Sequence, residues 1–273
     1  LPDKFLAPHR QPTALRPFGA TPARAVVVRG LARPIEVKIA ANVFEWRQAF
    51  KLVADQYQAR GYDHLQGRNF RFTAYQALPD AATFVAKHDG RVMATLSIVL
   101  DNHLLGLPME RIYAAEIKEL RQSGRRLAEI TSLADGGLTR QEFLPVLVAL
   151  MRFVGQYALG QDVDTLVITV NPRHRSFYHK AVGFMPFGPR RACPAVCNHP
   201  AEALLLSLAL LRDNAPEMYR QLCGECLPPD ALAAPHMPPD LLRYFASHSS
   251  QTRPAIVEAV LRHVRERGNP RRW

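Results

Sequence analysis

The chain has 273 residues, 48% of them hydrophobic, and a formal net charge of +11. That is enough for one sizeable core, or for one domain with a small appendage. No apolar run reaches the length of a membrane span: the longest, AEALLLSLALL at 201–211, is too short and fits a buried helix.

The positive charge belongs to the two ends. Residues 1–34 carry six Lys/Arg against one acid, residues 249–273 carry six against two, and the stretch between them is nearly balanced. Residues 1–34 also hold six prolines, so they read as a basic, extended and poorly ordered arm. Such ends attract nucleic acid, an anionic membrane or an acidic protein through fields that salt screens, or they are solvated tails that aid solubility. Nucleic acid is the less expected partner, and weak membrane association stays open. The first residues have no apolar h-region, so no secretory signal is expected, although the chain does not begin with Met, and the cytoplasm is the expected compartment.

In chain order, IEVKIAAN (35–42) alternates as a strand. A helix follows over 43–62, with Phe44, Ala49, Phe50, Val53, Ala54 and Tyr57 on one stripe and Gly61 as its stop. Residues 63–79 have no clear periodicity and carry Arg68 and Arg71 among aromatics. TFVAKHDGRVMATLSIVL (83–100) is a hairpin turning at Asp89-Gly90. A short helix over 110–122 stops at Gly124, and GRRLAEITSLADGG (124–137) is the next strand, closed by Gly136-Gly137. QEFLPVLVALMRFVGQYALGQ (141–161) is apolar on most sides, so it is a buried helix with Pro145 tolerated only near its first turn. TLVITV (165–170) is a strand apolar on both faces, as at a sheet's centre, and residues 173–184 are a short helix ended by Gly183. Residues 184–208 hold strand-like pieces broken by prolines, and the last 60 residues read as helices near 214–223, 239–247 and 254–266. This order gives an α/β (α+β) domain over 35–212 whose mixed, partly antiparallel central sheet is flanked by helices, with a helical extension over 213–273.

One residue stands out against this pattern. Strand alternation places Leu127, Glu129, Thr131 and Leu133 on one face of 124–137 and Ala128, Ile130, Ser132 and Ala134 on the other. A carboxylate in a core strand is costly unless it is paired or used. Desolvation raises its pKa toward neutrality, as a general base requires; the alternative is a structural pair with Arg125, Arg126 or another cation. In VNPRHRSFYHKAVGF (170–184) a strand ends, the chain turns at Asn171-Pro172, and a helix begins beside Arg173, Arg175 and Lys180, a natural seat for phosphate. Tyr178 has the chemistry to donate a proton, or is a core aromatic. No catalytic metal is expected, since His174 and His179 have no ligand partner at metal spacing. Cys193 and Cys197, then Cys223 and Cys226 after a gap of 25 residues, have short chelating loops that fit a structural zinc, though reduced thiols are the more ordinary reading. No serine-nucleophile elbow, P-loop or dinucleotide fingerprint occurs.

Several pieces together carry a resemblance: DQYQARGY, ATFVAKHDGRVMATLSIVLDN, GLPMERIYAAEIKELRQSGRRLAEITSLA, VNPRHRSFYHKAVGF and CNHPAEALLLSL, spanning about 55 to 208 in order. The chain resembles the FeeM-type long-chain N-acyl amino acid synthases, GNAT-fold acyltransferases related to the acyl-homoserine-lactone synthases. That resemblance implies transfer of a long fatty acyl chain from acyl carrier protein to an amino acid's amine, with no tightly bound cofactor and the acyl-phosphopantetheine arm as donor. It implies Glu129 as general base and Tyr178 as acid for the departing thiolate. Backbone N–H groups near Thr131, Ser132 and Leu133 would polarise the thioester, with Asn171, Arg173 and Arg175 beside the arm. Lys180, Arg190 and Arg191, with Arg173 and Arg175, would steer the acidic carrier. The acyl chain would lie between the sheet and the buried helix at 143–158.

Two departures matter. ADGGLTRQEF (134–143) lacks the Q/R-x-x-G-x-G/A loop that cradles coenzyme A pyrophosphate in many GNAT enzymes, which favours a carrier-protein donor. Ser132 stands where related synthases commonly have Arg. The rival readings are a homoserine-lactone-type or coenzyme-A-dependent acyltransferase, and a catalytically silent GNAT-like domain with basic arms.

Overall fold

Alternating apolar residues build nine strands into one sheet of order β1-β2-β3-β4-β5-β6-β9-β7, with β8 paired to β9. The computed structural model describes residues 24–64, 67–224 and 226–271. The strands are β1 (Val26–Val28), β2 (Ile35–Ile39), β3 (Ala82–His88), β4 (Arg91–Leu100), β5 (Leu127–Asp135), β6 (Thr165–Val170), β7 (Met185–Pro186), β8 (Arg191–Cys193) and β9 (His199–Ser207). The helices are α1 (Val43–Ala59), α2 (Glu110–Gln122), α3 (Arg140–Gly160), α4 (Arg175–Val182), α5 (Leu208–Asn214), α6 (Pro216–Tyr219), α7 (Pro239–Ser247) and α8 (Pro254–Arg267). All pairs are antiparallel except β5 and β6, which run parallel with α3 as their crossover.

Helices cover both faces, so β4 is buried along nearly its whole length. Under α3, Val146, Leu150 and Val154 meet Leu96, Ala128, Ile130 and Leu166. On the opposite face Trp46 and Phe50 of α1, Ile117 of α2, Phe245 of α7 and Val257 of α8 pack on Val85, Val99, Leu127 and Val167. The glutamate of β5 therefore stands on the α1/α2 face and the buried helix on the other.

The mixed, partly antiparallel sheet, the hairpin, the helix at 110–122 and the strand at 165–170 are as the sequence indicated. Four expectations are corrected. The run at 201–211 is not a helix: residues up to Ser207 belong to β9, a strand apolar on both faces because it is covered on both, and the helix begins at Leu208. Phe44 is not on the buried stripe of α1 but 72% exposed; the stripe centres on Trp46, Ala49, Phe50 and Val53. The long apolar segment is α3, which is long and apolar enough to cross a membrane yet is packed on the sheet. Residues 214–223 are not one helix but the end of α5, the short α6 and a π turn.

Of the expected N-terminal arm, residues 1–23 lie outside the described residues, while Val26–Val28 pair with β2 and Arg33 donates to both oxygens of Glu142. The residues beyond 212 are built into both cores, with Leu222 and Leu227 under α3 and Leu241, Phe245, Val257 and Val260 on the α1 face.

Candidate active site

Glu129 is 3% exposed, and neither Arg125 nor Arg126 pairs with it: Arg125 donates to the Ser207 hydroxyl and Arg126 faces Asp164. Its Oε2 accepts the Met109 N–H at 2.7 Å. Burial pushes the Glu129 carboxyl up to about 8 against the pull of that N–H, and the nearby Glu110 carboxylate adds to the rise. Met109 caps α2, and the turn before it is tightly built. Asn102 donates to the carbonyls of Leu100 and Gly106 and accepts the Leu105 N–H, while Arg121 clamps Asp101 and Glu110. The Gly-Leu-Pro-Met segment thus delivers one fixed N–H to the carboxylate.

Three residues beyond Glu129 the strand changes hand. Ser132 is left-handed at φ 58°, and the register against β4 slips there: Ser97 faces Thr131, whereas Thr95 faces Ala134. This β-bulge corrects the simple alternation, because Leu133 joins Ala128 and Ile130 in the core under α3 and leaves the Glu129 face. On its other side β5 parts from β6: the parallel ladder ends at Ile130–Ile168, although β5 continues to Asp135 and β6 to Val170. Beyond Ile130 that side of β5 has no ladder partner among the described residues, so the stretch from Thr131 to Leu133 borders a cleft. Across it, Thr169 Oγ1 is buried without a hydrogen-bond partner among the described residues.

This cleft is the waist of a cavity of about 590 Å³. Below it the wall is apolar, with Leu96, Phe143, Leu147, Met151, Phe177 and Phe184. Above it stand Glu129, Tyr57, Arg71, Thr73, Tyr75, Met109 and Arg111. Tyr178 lines the same cavity, its ring against Phe177 and Phe184, and burial holds its phenol far above the ordinary range, so it stays protonated and able to donate. Gly183, left-handed at φ 85°, ends α4 and lets the Phe184 N–H reach the Tyr178 carbonyl.

Of the other residues singled out in the sequence, Thr131, Ser132, Leu133 and Asn171 line the cavity. Arg173 is exposed beside it, donating to Tyr62 Oη and His174. Arg175 and Arg190 both face Glu202, and Lys180 is exposed on α4. Arg191 forms a two-pronged pair with Glu116 and lies over the Tyr113 ring, so its charge is spent on holding α2 to β8. The four cysteines are not gathered: Cys193 lines the cavity, Cys197 is exposed nearby, Cys223 packs on α3 beside Gly155, and Cys226 is exposed. Among the described residues no group of three or more His, Cys, Asp or Glu could hold a metal ion, so the four-thiolate arrangement is not formed.

The upper wall was the part the sequence did not reveal. Arg71, Thr73 and Tyr75 come from the stretch without periodicity, and Gln251 comes from the connection between α7 and α8. Their only signal was compositional: arginine and aromatic residues in a long connection with no regular structure.

The family model of N-acyl amino acid synthase FeeM matches residues 48–207. Among solved structures, that of FeeM, an N-acyl amino acid synthase from uncultured soil microbes, is similar with a TM-score of 0.57 and 29% identity, covering 66% of this chain and 94% of that one. The AHL synthase LasI shares the fold, with a TM-score of 0.50 and 20% identity over 71% of this chain and 96% of the other. No curated protein matches the chain.

Proposed function

Because the chain belongs to the FeeM family of N-acyl amino acid synthases, acyltransferases of GNAT fold, we propose that it moves a long fatty acyl chain from the phosphopantetheine arm of acyl carrier protein to the amine of an amino acid. The observation that carries this reading is the single cavity that joins a buried carboxyl of raised pKa to a parted strand pair and an apolar lower arm.

In this reading the acyl chain lies below the cleft among Leu147, Met151 and Phe184, and the pantetheine arm runs between β5 and β6. Its amides would supply the partner that Thr169 Oγ1 lacks. The amine enters above as an ammonium. Glu129 takes a proton from it, directly or through water; a base held at about 8 is well matched to that task. The free amine attacks the thioester carbon, and the N–H groups of Thr131 to Leu133 stabilise the oxyanion. Collapse breaks the carbon–sulfur bond and Tyr178 donates a proton to the thiolate, while the second proton of the attacking nitrogen returns through solvent to the Tyr178 phenolate, leaving the neutral amide.

The N-terminus of α3 supports a carrier-protein donor over coenzyme A. Thr139 and Glu142 cap that end reciprocally: the Glu142 carboxylate accepts the Thr139 N–H at 2.8 Å and is itself held by Arg33. That end of α3 thus carries a carboxylate of its own, which a pyrophosphate seated there would meet as a like charge. Arg173, Arg175 and Lys180 form the basic approach for an acidic carrier, and we place the reaction in the cytoplasm.

The test is to incubate the protein with acyl carrier protein loaded with a palmitoyl chain and a mixture of amino acids, and to look for acylated products by mass spectrometry. An N-acyl amino acid is the expected product. Its absence with carrier-borne and coenzyme-A-borne chains alike would leave the fold without the proposed activity.

A further inference from the structure

Three arginines, Arg60, Arg71 and Arg111, line the cavity that holds Glu129. Arg71 is buried; it donates to Asp63 Oδ2 at 2.6 Å and to the Ala195 carbonyl at 2.7 Å, and it lies over the Tyr57 ring. Arg111, the second residue of α2, is exposed to the cavity and has no carboxylate partner among the described residues. Arg60 also lines the cavity, but its charge acts on His174, next to Arg173 and Tyr62 at the start of α4. That cluster is on the side assigned to the donor arm.

Arg111 does not stand alone. Tyr75 and Glu129 line the same cavity, and Arg111 and Glu129 both act on the Tyr75 phenol. The three side chains therefore converge on one space. Burial pushes the Tyr75 phenol up to about 12, so it stays protonated, and its hydrogen rests on the Leu105 carbonyl at a long 3.4 Å, a bond a carboxylate can replace. In an α-amino acid the amine and the carboxylate are attached to the same carbon. An amine placed at Glu129 has its carboxylate within one residue's reach, and the groups available there are a free guanidinium and a phenol.

We propose that Arg111, with the Tyr75 hydroxyl, holds the α-carboxylate of the amino-acid acceptor while Glu129 faces its amine. This rests on the acyl-transfer reading above and adds the reason for choosing an amino acid over a simple amine. A guanidinium recognises a carboxylate through two parallel N–H donors, which fixes the acceptor's orientation as well as its charge. An amino acid amide or the corresponding decarboxylated amine would leave Arg111 unpaired, and Glu129 would still receive an amine.

The test uses the palmitoyl carrier protein as donor. Each accepted amino acid is compared with its carboxamide and its decarboxylated amine, in the wild type, Arg111→Gln, Arg111→Lys and Tyr75→Phe. The wild type is expected to favour the free amino acid by about 100-fold in kcat/KM, the scale of a charge-assisted pair. Arg111→Gln should raise KM for the amino acid about 10- to 100-fold, exceeding any fall in kcat, and bring the preference down to a few-fold. Arg111→Lys should lie between, and Tyr75→Phe should cost less than Arg111→Gln. Wild-type protein that acylates carboxamides as readily as free amino acids would overturn the subsite and leave acyl transfer standing, as would an unchanged KM in Arg111→Gln. No product from any acceptor or donor would overturn acyl transfer, and the subsite with it.

Discussion

A carboxyl group held near 8 by burial, the proposed general base of this site, is also a burden on the fold. In the unfolded chain it ionises near its ordinary value of 4.5, whereas in the native protein it keeps its proton to about 8. The native state binds more protons across that window, so this group's contribution to stability is present below about 4.5 and is lost as pH rises toward 8. Glu129→Gln removes the effect. Its melting temperature should match the wild type at pH 4.5 and exceed it at pH 9, while its kcat/KM falls about 10²- to 10⁴-fold. Calorimetry at the two pH values checks the first half and the acylation assay the second. The wild-type kcat/KM should climb with pH and level off above about 8. In the proposed mechanism Tyr178 acts later, on a thiolate that leaves readily even without an acid, so Tyr178→Phe should cost only about tenfold, in kcat.

At the scale of elements, the site depends on parts that look remote in sequence. The C-terminal segment ties down the turn that feeds Met109 to Glu129: the His103 N–H donates to the Pro270 carbonyl, and Asn102 bridges Arg271. Ser249 clamps Phe72 on both sides of its peptide, and Gln251 and Ser250 share Asp63 with Arg71. Phe245 of α7 is fully buried among Phe50, Phe70 and Phe72. Phe245→Ala should therefore cost about 3–5 kcal/mol and lower the melting temperature of the whole chain by roughly 10 °C in one transition. A separate early transition, with the main one unmoved, would show that these helices fold apart from the sheet.

Strands and helices with a clean period were readable in the sequence: 110–122 and 165–170 match residue for residue, and α3 to within one. The run at 201–211 misled because strand and buried helix look alike when both faces are covered. Glu129 was legible as a costly residue, but the bulge at Ser132 was not, because a left-handed serine has no compositional mark. Nor could the sequence bring Tyr75 and Arg111 to the same space, since that placement is made by tertiary packing alone.

Across the whole molecule, the proposed carrier-protein donor is argued from the self-capped α3 and the exposed cations around α4. If an acidic carrier docks at Arg173, Arg175 and Lys180, kcat/KM for the carrier-borne chain should fall steeply as salt rises, whereas a neutral pantetheine thioester should show little change. Lys180→Glu should raise KM for the carrier and leave the neutral thioester unaffected. The most direct test of the central claim is a single comparison: turnover of a palmitoyl chain carried by acyl carrier protein and by coenzyme A, with a saturating amino acid, in the wild type and Glu129→Gln. The account predicts N-acyl amino acid from the carrier-borne chain at a much higher kcat/KM than from coenzyme A, and loss of both in Glu129→Gln with the fold intact. Undiminished turnover in Glu129→Gln would contradict it.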